Sequence, residues 1–401
     1  MNRVSEQAAV ELRLNWTSPG ATHRNHHYFE SINCWRDTFP GSLSRRLPQS
    51  NGEWLSEQFS AGELVAPYTS TSIHRLKTTA LKLQQRHGPP IRLFRGRHYP
   101  RHLAAGTAGI FPGDLKPMRV LDLDEDTVTI DLNHPLAQTP LCLAARVVRR
   151  SGHAEEHGGR CNEPVMDALG AGIGLEALHP AAETDFFSDQ PFRRLDPRAD
   201  PDFYAGARLV QHIDSTAIGQ ISDIYSRFLE PGMKVLDLMS SWTSHLPDGI
   251  DGLQLTGLGL NIDELNANEH LAERIVHDLN ARPLMPFADR HFDAVICTVS
   301  VEYLVRPLEV FRELGRILKP GAPAIITFSD RWFPTKAINL WTVLHPFERM
   351  ALVFEYFRGA GNFRSLASET RRELPRPKDD KYAQRRAFSD PVFAVWGYAS
   401  P

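Results

Sequence analysis

Cysteine is scarce in this chain, and what little there is carries no pattern. The four residues Cys34, Cys142, Cys161 and Cys297 are scattered without a CxxC pair, which argues against a disulfide framework or a structural zinc site. An excess of one charge is missing too. The net charge is −3, with acids and bases well mixed, so nothing drives an electrostatic grip on bulk nucleic acid or an anionic membrane. No run approaches the roughly 18 consecutive apolar residues of a spanning helix, and MNRVSEQAAVELRLNW lacks the apolar centre of a signal peptide. A soluble, cytoplasmic protein is expected. Internal repeats and long low-complexity tracts are likewise absent.

What remains is an ordinary globular composition, 42% hydrophobic and 23% charged over 401 residues, enough for a packed core throughout and for two or three domains. Three textures divide the chain. Residues 9–150 are strand-rich with short turns. The stretch 150–215 is irregular and rich in Gly, Pro, Asp and Arg. From about Ile218 apolar strands alternate with amphipathic helices, the βαβ signature. The expected division is a β-rich α+β domain over 1–150, an irregular connection over 151–215, and a Rossmann-like α/β domain over 216–401.

In the last region MKVLDLM, LQLTGLGL, HLAERIVHDLN (ending near Asp278), FDAVICTVS, PAIITFS and DPVFAVWGY read as strands. FDAVICTVS is apolar enough to be buried on both faces. RPLEVFRELGRIL places Leu308, Val310, Phe311, Leu314, Ile317 and Leu318 at helical spacing, closed by Lys319-Pro320-Gly321. That order predicts a mostly parallel, doubly wound sheet, whose ligands bind beyond the carboxyl ends of the strands where the strand order reverses.

VLDLM, then DLNARPLMPFADRHFDAVIC, then EVFRELGRILKPGA, in that order and spacing, resembles the class I S-adenosylmethionine-dependent methyltransferases. The resemblance implies S-adenosylmethionine as cofactor and an unnamed methyl acceptor. By motif position, Asp237 would end the first strand and orient the loop or the amino-acid part of the cofactor. Met239, Ser240 and Ser241 would begin the loop, Met239–His245, that wraps methionine and ribose. Gly259 and Asn261 would stand at the end of the second strand, Asp278 and Leu279 by the adenine, and Ser300 on the acceptor side. Two places depart from the family. The loop has no glycine where glycines are usual, and Gly259-Leu260-Asn261 occupies the usual position of an acid, with Asp263 and Glu264 following. DLMSSWTSH and FSDRWFPTKAI are similar to an uncharacterised methyltransferase-like subgroup that reads DL-x-SSW-x-SH.

Residues 9–150 resemble the FKBP peptidyl-prolyl isomerases, and among them the SlyD type with a domain inserted in the flap. ELRLNW, HHYFES, the run FPGSLSRRLPQSNGEWLSEQFSAGELVAPY and above all DLNHPLAQTPLCLAARVV carry the likeness. It implies a pocket of Trp16, Phe29, Glu30, Phe39, Tyr68 and Leu143, with Glu30 where the family has Asp and Leu143 where it has Phe. Such a pocket uses no nucleophile; it desolvates an X-Pro amide and favours its twisted state. Two functions follow. One is a methyltransferase whose isomerase-like domain engages a proline-containing protein segment, a small-molecule acceptor being the alternative. The other is a prolyl isomerase or folding helper with a non-catalytic Rossmann-like domain. Neither calls for nucleic acid or membrane.

Other features read more plainly. His23, His26 and His27 cluster, and His153, His157 and Cys161 recur four apart, but Gly152, Gly158 and Gly159 would break a helix there, so a solvated linker and no metal are expected. GAGIGLEA (170–177) lacks the preceding strand of a dinucleotide fingerprint. Cys297 fits a buried small hydrophobe. The basic run 371–386 reads as an exposed connection or a lid. Trp332, Phe333, Trp341, Phe347, Phe354, Tyr356 and Phe357 read as helix core or the floor of an acceptor pocket.

Overall fold

A computed structural model describes residues 6–84, 90–153, 161–170 and 183–401. His157 and residues 171–177 of the glycine run lie outside them. Among the described residues no three His, Cys, Asp or Glu side chains gather as a metal site would require, and no helix is long and apolar enough to cross a membrane. The chain divides into two compact units, one of residues 1–19, 23–190 and 343–351, the other of residues 20–22, 191–342 and 352–401.

In the first unit four strands lie in the order β2-β1-β8-β3 (β1 Glu6–Ser18, β2 Ala21–Asn33, β3 Leu55–Phe59, β8 Leu141–His153). Val10, Leu12, Leu14 and Trp16 are buried at every second position of β1, as a sheet with one covered face requires. They share a core with Leu43, Leu47, Leu136 and Leu143. Between β3 and β8 the chain builds a separate antiparallel sheet, β4-β7-β6-β5 (β4 Ile73–Lys77, β5 His98–Pro100, β6 Pro117–Leu123, β7 Thr127–Asp131). Its own core holds Met118, Val120, Val128 and Ile130. Glu348, deeply buried in the same unit, accepts hydrogen bonds from Arg97 Nε at 3.1 Å and the His98 amide at 2.7 Å. Burial pushes this carboxyl up, but Arg97 and His98 outweigh it and hold it down at about 2.

The second unit carries β9 (Lys234–Leu238), β10 (Gln254–Gly259), β11 (Glu273–Val276), β12 (Ala294–Thr298), β13 (Pro323–Phe328), β14 (Phe363–Arg372) and β15 (Val392–Ala399). Their order is β11-β10-β9-β12-β13-β15-β14, with the first five parallel and β15 antiparallel to both neighbours. The expected mostly parallel sheet is therefore present, and its order reverses at β9. The helix Pro307–Ile317 buries Val310, Phe311, Leu314 and Ile317 on one face; Gly321 beyond it, at φ +79°, lets the chain turn into β13.

β14 is a correction to the sequence reading. FRSLASETRR shows no apolar alternation, yet Ser368, Glu369 and Thr370 are buried in it, with Glu369 paired to Arg227 at 2.8 Å and to Arg371 at 2.8 Å. Residues 371–386 are accordingly more than an exposed connection. Arg371 and Arg372 belong to β14, and buried Arg376 ties Asp390 (2.6 Å), Asp380 (2.9 Å) and Asp214 (3.3 Å) together. Of the aromatics after β13, Trp341, Phe347, Phe354, Tyr356 and Phe357 are core.

Candidate active site

A cavity of about 140 Å³ opens beyond the carboxyl ends of β9, β10 and β12, at the point where the strand order reverses. Asp237, Met239, Ser240, Ser241, Gly259, Asn261, Asp278, Leu279 and Ser300 all line it. Nine residues named from four separate segments thus meet in one cleft.

Asp237 is spent on the loop that follows it. Its Oδ2 accepts from Ser240 Oγ at 2.5 Å and Ser244 Oγ at 2.6 Å. Burial pushes the carboxyl up to about 6, against the pull of the two hydroxyls. The loop is bound at every turn: Ser240 N donates to Leu258 O (2.8 Å), Ser241 Oγ to Glu264 Oε2 (2.6 Å), and Asn268 Nδ2 to Ser241 O (3.1 Å) and Ser244 Oγ (2.8 Å). Met239 and His245 bracket it at φ +56° and +51°, left-handed values that non-glycine residues hold only when the surroundings impose them.

The glycines missing from this loop stand opposite it. A Cβ on Gly259 would lie 2.3 Å from the Ser240 carbonyl oxygen, and one on Gly257 would lie 3.1 Å from Ser240 Oγ. Bare backbone on β10 lets the loop approach, so the close contact that a glycine-rich loop normally allows is made from the other side.

Asn261 Oδ1 caps the helix Ile262–Ala267 through the amides of Asp263 (2.9 Å) and Glu264 (3.1 Å), while its Nδ2 donates to the Tyr204 and Ala205 carbonyls. Glu264, which the expected site set lacked, also lines the cleft; its Oε1 accepts the Arg208 amide at 2.8 Å. Asp278 Oδ1 accepts the amides of Asn280 and Ala281. Ser300 Oγ donates to Thr298 O at 2.8 Å, next to Val299 at φ +41°, a costly conformation for a β-branched residue. His245 lines the cleft as well, with burial holding its imidazole down at about 4.

Sequence reasoning missed one whole wall. Residues between Asp200 and Ile213, within the stretch read as irregular connection, line the cleft together with Tyr303 and with Phe333, the latter one of the aromatics read as helix core or pocket floor. Asp200 is buried and fixed by Arg194 (2.7 Å), Asn280 Nδ2 (2.7 Å) and Lys336 (3.3 Å). The only hint in the sequence was the aromatic pair and arginine of FYAGAR in a polar tract.

The isomerase-like set behaves differently. Trp16, Phe39 and Leu143 are core side chains of the first unit, with Phe29 packed against them. Tyr68 is 36% exposed, and Glu30 pairs at the surface with Arg149 at 2.6 Å.

Residues 242–326, from the loop after β9 through most of β13, match the family model described as a methyltransferase domain. That segment is similar to a methyltransferase domain. It is similar to the demethylmenaquinone methyltransferase of Renibacterium salmoninarum, at 28% identity over 97 residues, which are 24% of this chain and 41% of that protein. The chain thus spans about two-fifths of the length of that curated relative. Among solved structures it is similar to the phosphoethanolamine N-methyltransferase 2 of Haemonchus contortus, in complex with phosphomonomethylethanolamine and S-adenosylhomocysteine (16% identity, 46% of this chain, 53% of that one, TM-score 0.32). A SAM-dependent methyltransferase of Aquifex aeolicus is similar too (16%, 50% of this chain, 100% of that one, TM-score 0.31). At the level of the domain, the methyltransferase match bears out the S-adenosylmethionine expectation. The FKBP resemblance and the DL-x-SSW-x-SH subgroup find no support in these comparisons, and the family match does not reach the first unit.

Proposed function

We propose that the second unit transfers a methyl group from S-adenosylmethionine to an acceptor lying on the β12–β13 side of the cleft. The observation that carries this reading is the meeting of all nine residues at the strand-order reversal, inside a segment that overlaps the family match. The residues present fit the cofactor. Glu264 and Asn261 stand at the end of β10 for the ribose, and Asp278 beside Leu279 for the adenine. The hydroxyl-rich loop from Met239 to Ser241 stands by the methionine part, brought close by Gly259. When bound, the cofactor supplies a methyl group activated by its sulfonium. Transfer would be a displacement at that carbon, in which the acceptor atom supplies the new bond's electron pair and the carbon–sulfur pair leaves on sulfur as S-adenosylhomocysteine. Such an in-line displacement asks the chain for alignment. The bound loop and the strained Met239 and Val299 serve that need, whereas His245, held at about 4, is a weak base at neutral pH.

Calorimetry on the full chain tests this reading, because residues 200–213 belong to the cleft. S-adenosylhomocysteine is expected to bind saturably at micromolar to submillimolar concentration. No heat at millimolar ligand would sink the methyltransferase.

A second reading concerns the first unit: a peptidyl-prolyl isomerase-like module that engages proline-containing protein segments, on its own or to deliver a protein acceptor. It is favoured by the separate four-stranded sheet inserted between β3 and β8, where the SlyD-type resemblance puts its flap insert. The intact chain should then accelerate the proline-limited refolding of a test protein, and its Tyr68→Ala variant should do so less. An unchanged slow phase with the wild-type chain removes the isomerase.

A further inference from the structure

Arg208 is the unexplained group of the cleft. Its backbone amide holds Glu264, and its Nη2 donates to the Phe203 carbonyl at 3.0 Å. The guanidinium carbon stands 4.7 Å from the centre of the Phe203 ring and 5.5 Å from those of Tyr204 and Phe333. Those contacts fix the plane of the fork. Nη1 is buried and has no hydrogen-bond partner among the described residues.

The carboxylates of the cleft do not answer it. Asp200 is engaged by Arg194 and Lys336, Asp237 by Ser240 and Ser244, Glu264 by Ser241 Oγ and the Arg208 amide, and Asp278 by the amides of Asn280 and Ala281. A buried cationic donor left without an acceptor is costly, and guanidinium is the side chain best shaped to bind carboxylate or phosphate oxygens. Position narrows the ligand further. The rings around Arg208 include Phe333, whose amide donates to Tyr303 Oη at 2.8 Å; Tyr303 follows β12 and Phe333 follows β13, while Glu264 links the Arg208 amide to Ser241 of the loop.

We propose that Arg208 is an acceptor-binding residue, whose Nη1 takes an oxyanion, carboxylate or phosphate, of an acceptor with an apolar or aromatic body lying on the rings of Tyr204 and Phe333. The assignment to the acceptor rests on the methyltransferase reading; the anion site itself does not.

The test uses the full chain with phenylacetate, phenyl phosphate and the neutral benzyl alcohol as probes, titrated with and without S-adenosylhomocysteine. At least one of the two anions is expected to bind saturably, at least tenfold more weakly to Arg208→Met, and at least tenfold more tightly than the alcohol; which anion prevails separates carboxylate from phosphate. Arg208→Gln replaces the methionine variant if that does not fold. Anion binding unchanged by the substitution, or matched by the alcohol, overturns the proposal. So does a tenfold loss of S-adenosylhomocysteine affinity in the variant with 5′-methylthioadenosine affinity retained, because Arg208 would then hold the carboxylate of the cofactor. If the wild-type chain binds no S-adenosylhomocysteine, the methyltransferase reading falls, and the cofactor-free titrations still decide the anion site by the same criteria.

Discussion

At the residue scale, Gly259 does the work that glycines in the loop would otherwise do. Its neighbour is the Ser240 carbonyl, a backbone atom that cannot swing aside, and the loop behind that carbonyl is pinned by Asp237, Glu264 and Asn268. Gly259→Ala must therefore push the loop off β10 or leave a contact of 2.3 Å. The expected result is a loss of about 1–3 kcal/mol in stability, as for other overpacked sites, and S-adenosylhomocysteine binding weakened at least tenfold. Gly219, exposed in the helix Ser215–Tyr225 with nothing within 4 Å of an added Cβ, is the control. Gly219→Ala should be neutral or stabilising by up to about 1 kcal/mol. Urea denaturation and calorimetry on both variants check this; wild-type ligand affinity in Gly259→Ala would show that the close approach is not needed.

At the scale of elements, what was legible follows from how burial writes itself into sequence. β9, β12 and β13 are buried on both faces and so appear as apolar runs, and the helix Pro307–Ile317 buries one stripe and so shows a helical period. β1 reads as a strand because alternate side chains meet the core. β14 was invisible for the opposite reason: after Leu366 and Ala367 its buried run continues through the polar Ser368, Glu369 and Thr370, with Glu369 satisfied by Arg227 far along the chain. The wall from Asp200 to Ile213 is one helical turn, Asp200–Phe203, followed by irregular backbone, too short to show a period, though the ion pairs of Asp200 with Arg194 and Lys336 fix it. The nine residues named from the sequence meet in one cleft because they sit at or just beyond strand ends, positions the sheet itself determines. The glycine-free loop looked like a defect only because Gly259, twenty positions after Met239, is its neighbour in space and not in sequence.

At the scale of the whole molecule, the two units answer acid in different ways. In the first unit burial holds His98 down at about 4, so the folded state stays neutral while the unfolded chain takes up a proton near 6.5. Stability therefore falls as pH drops from about 6.5 to 4, by about 3 kcal/mol for such a shift. His134 and His345 are lowered by burial with the same sign, and Glu348, held at about 2, adds a loss below about 4.5. In the second unit His245 acts like His98, but Asp237 opposes it. With a folded value of about 6 and an ordinary value of 3.8, Asp237 takes up its proton in the folded state first, so its contribution rises as pH drops through that window. His212, lowered, and Glu373, raised, add one smaller contribution of each sign. Hydrogen exchange followed from pH 7 to 4.5, corrected for intrinsic rates, should show protection falling in β1 and β8 while β9 and β12 hold nearly level. Asp237→Asn removes the counterweight, and β9 and β12 should then lose protection with acid as the first unit does. If those strands respond to acid alike in wild type and variant, the balance between Asp237 and His245 is not what steadies the second unit.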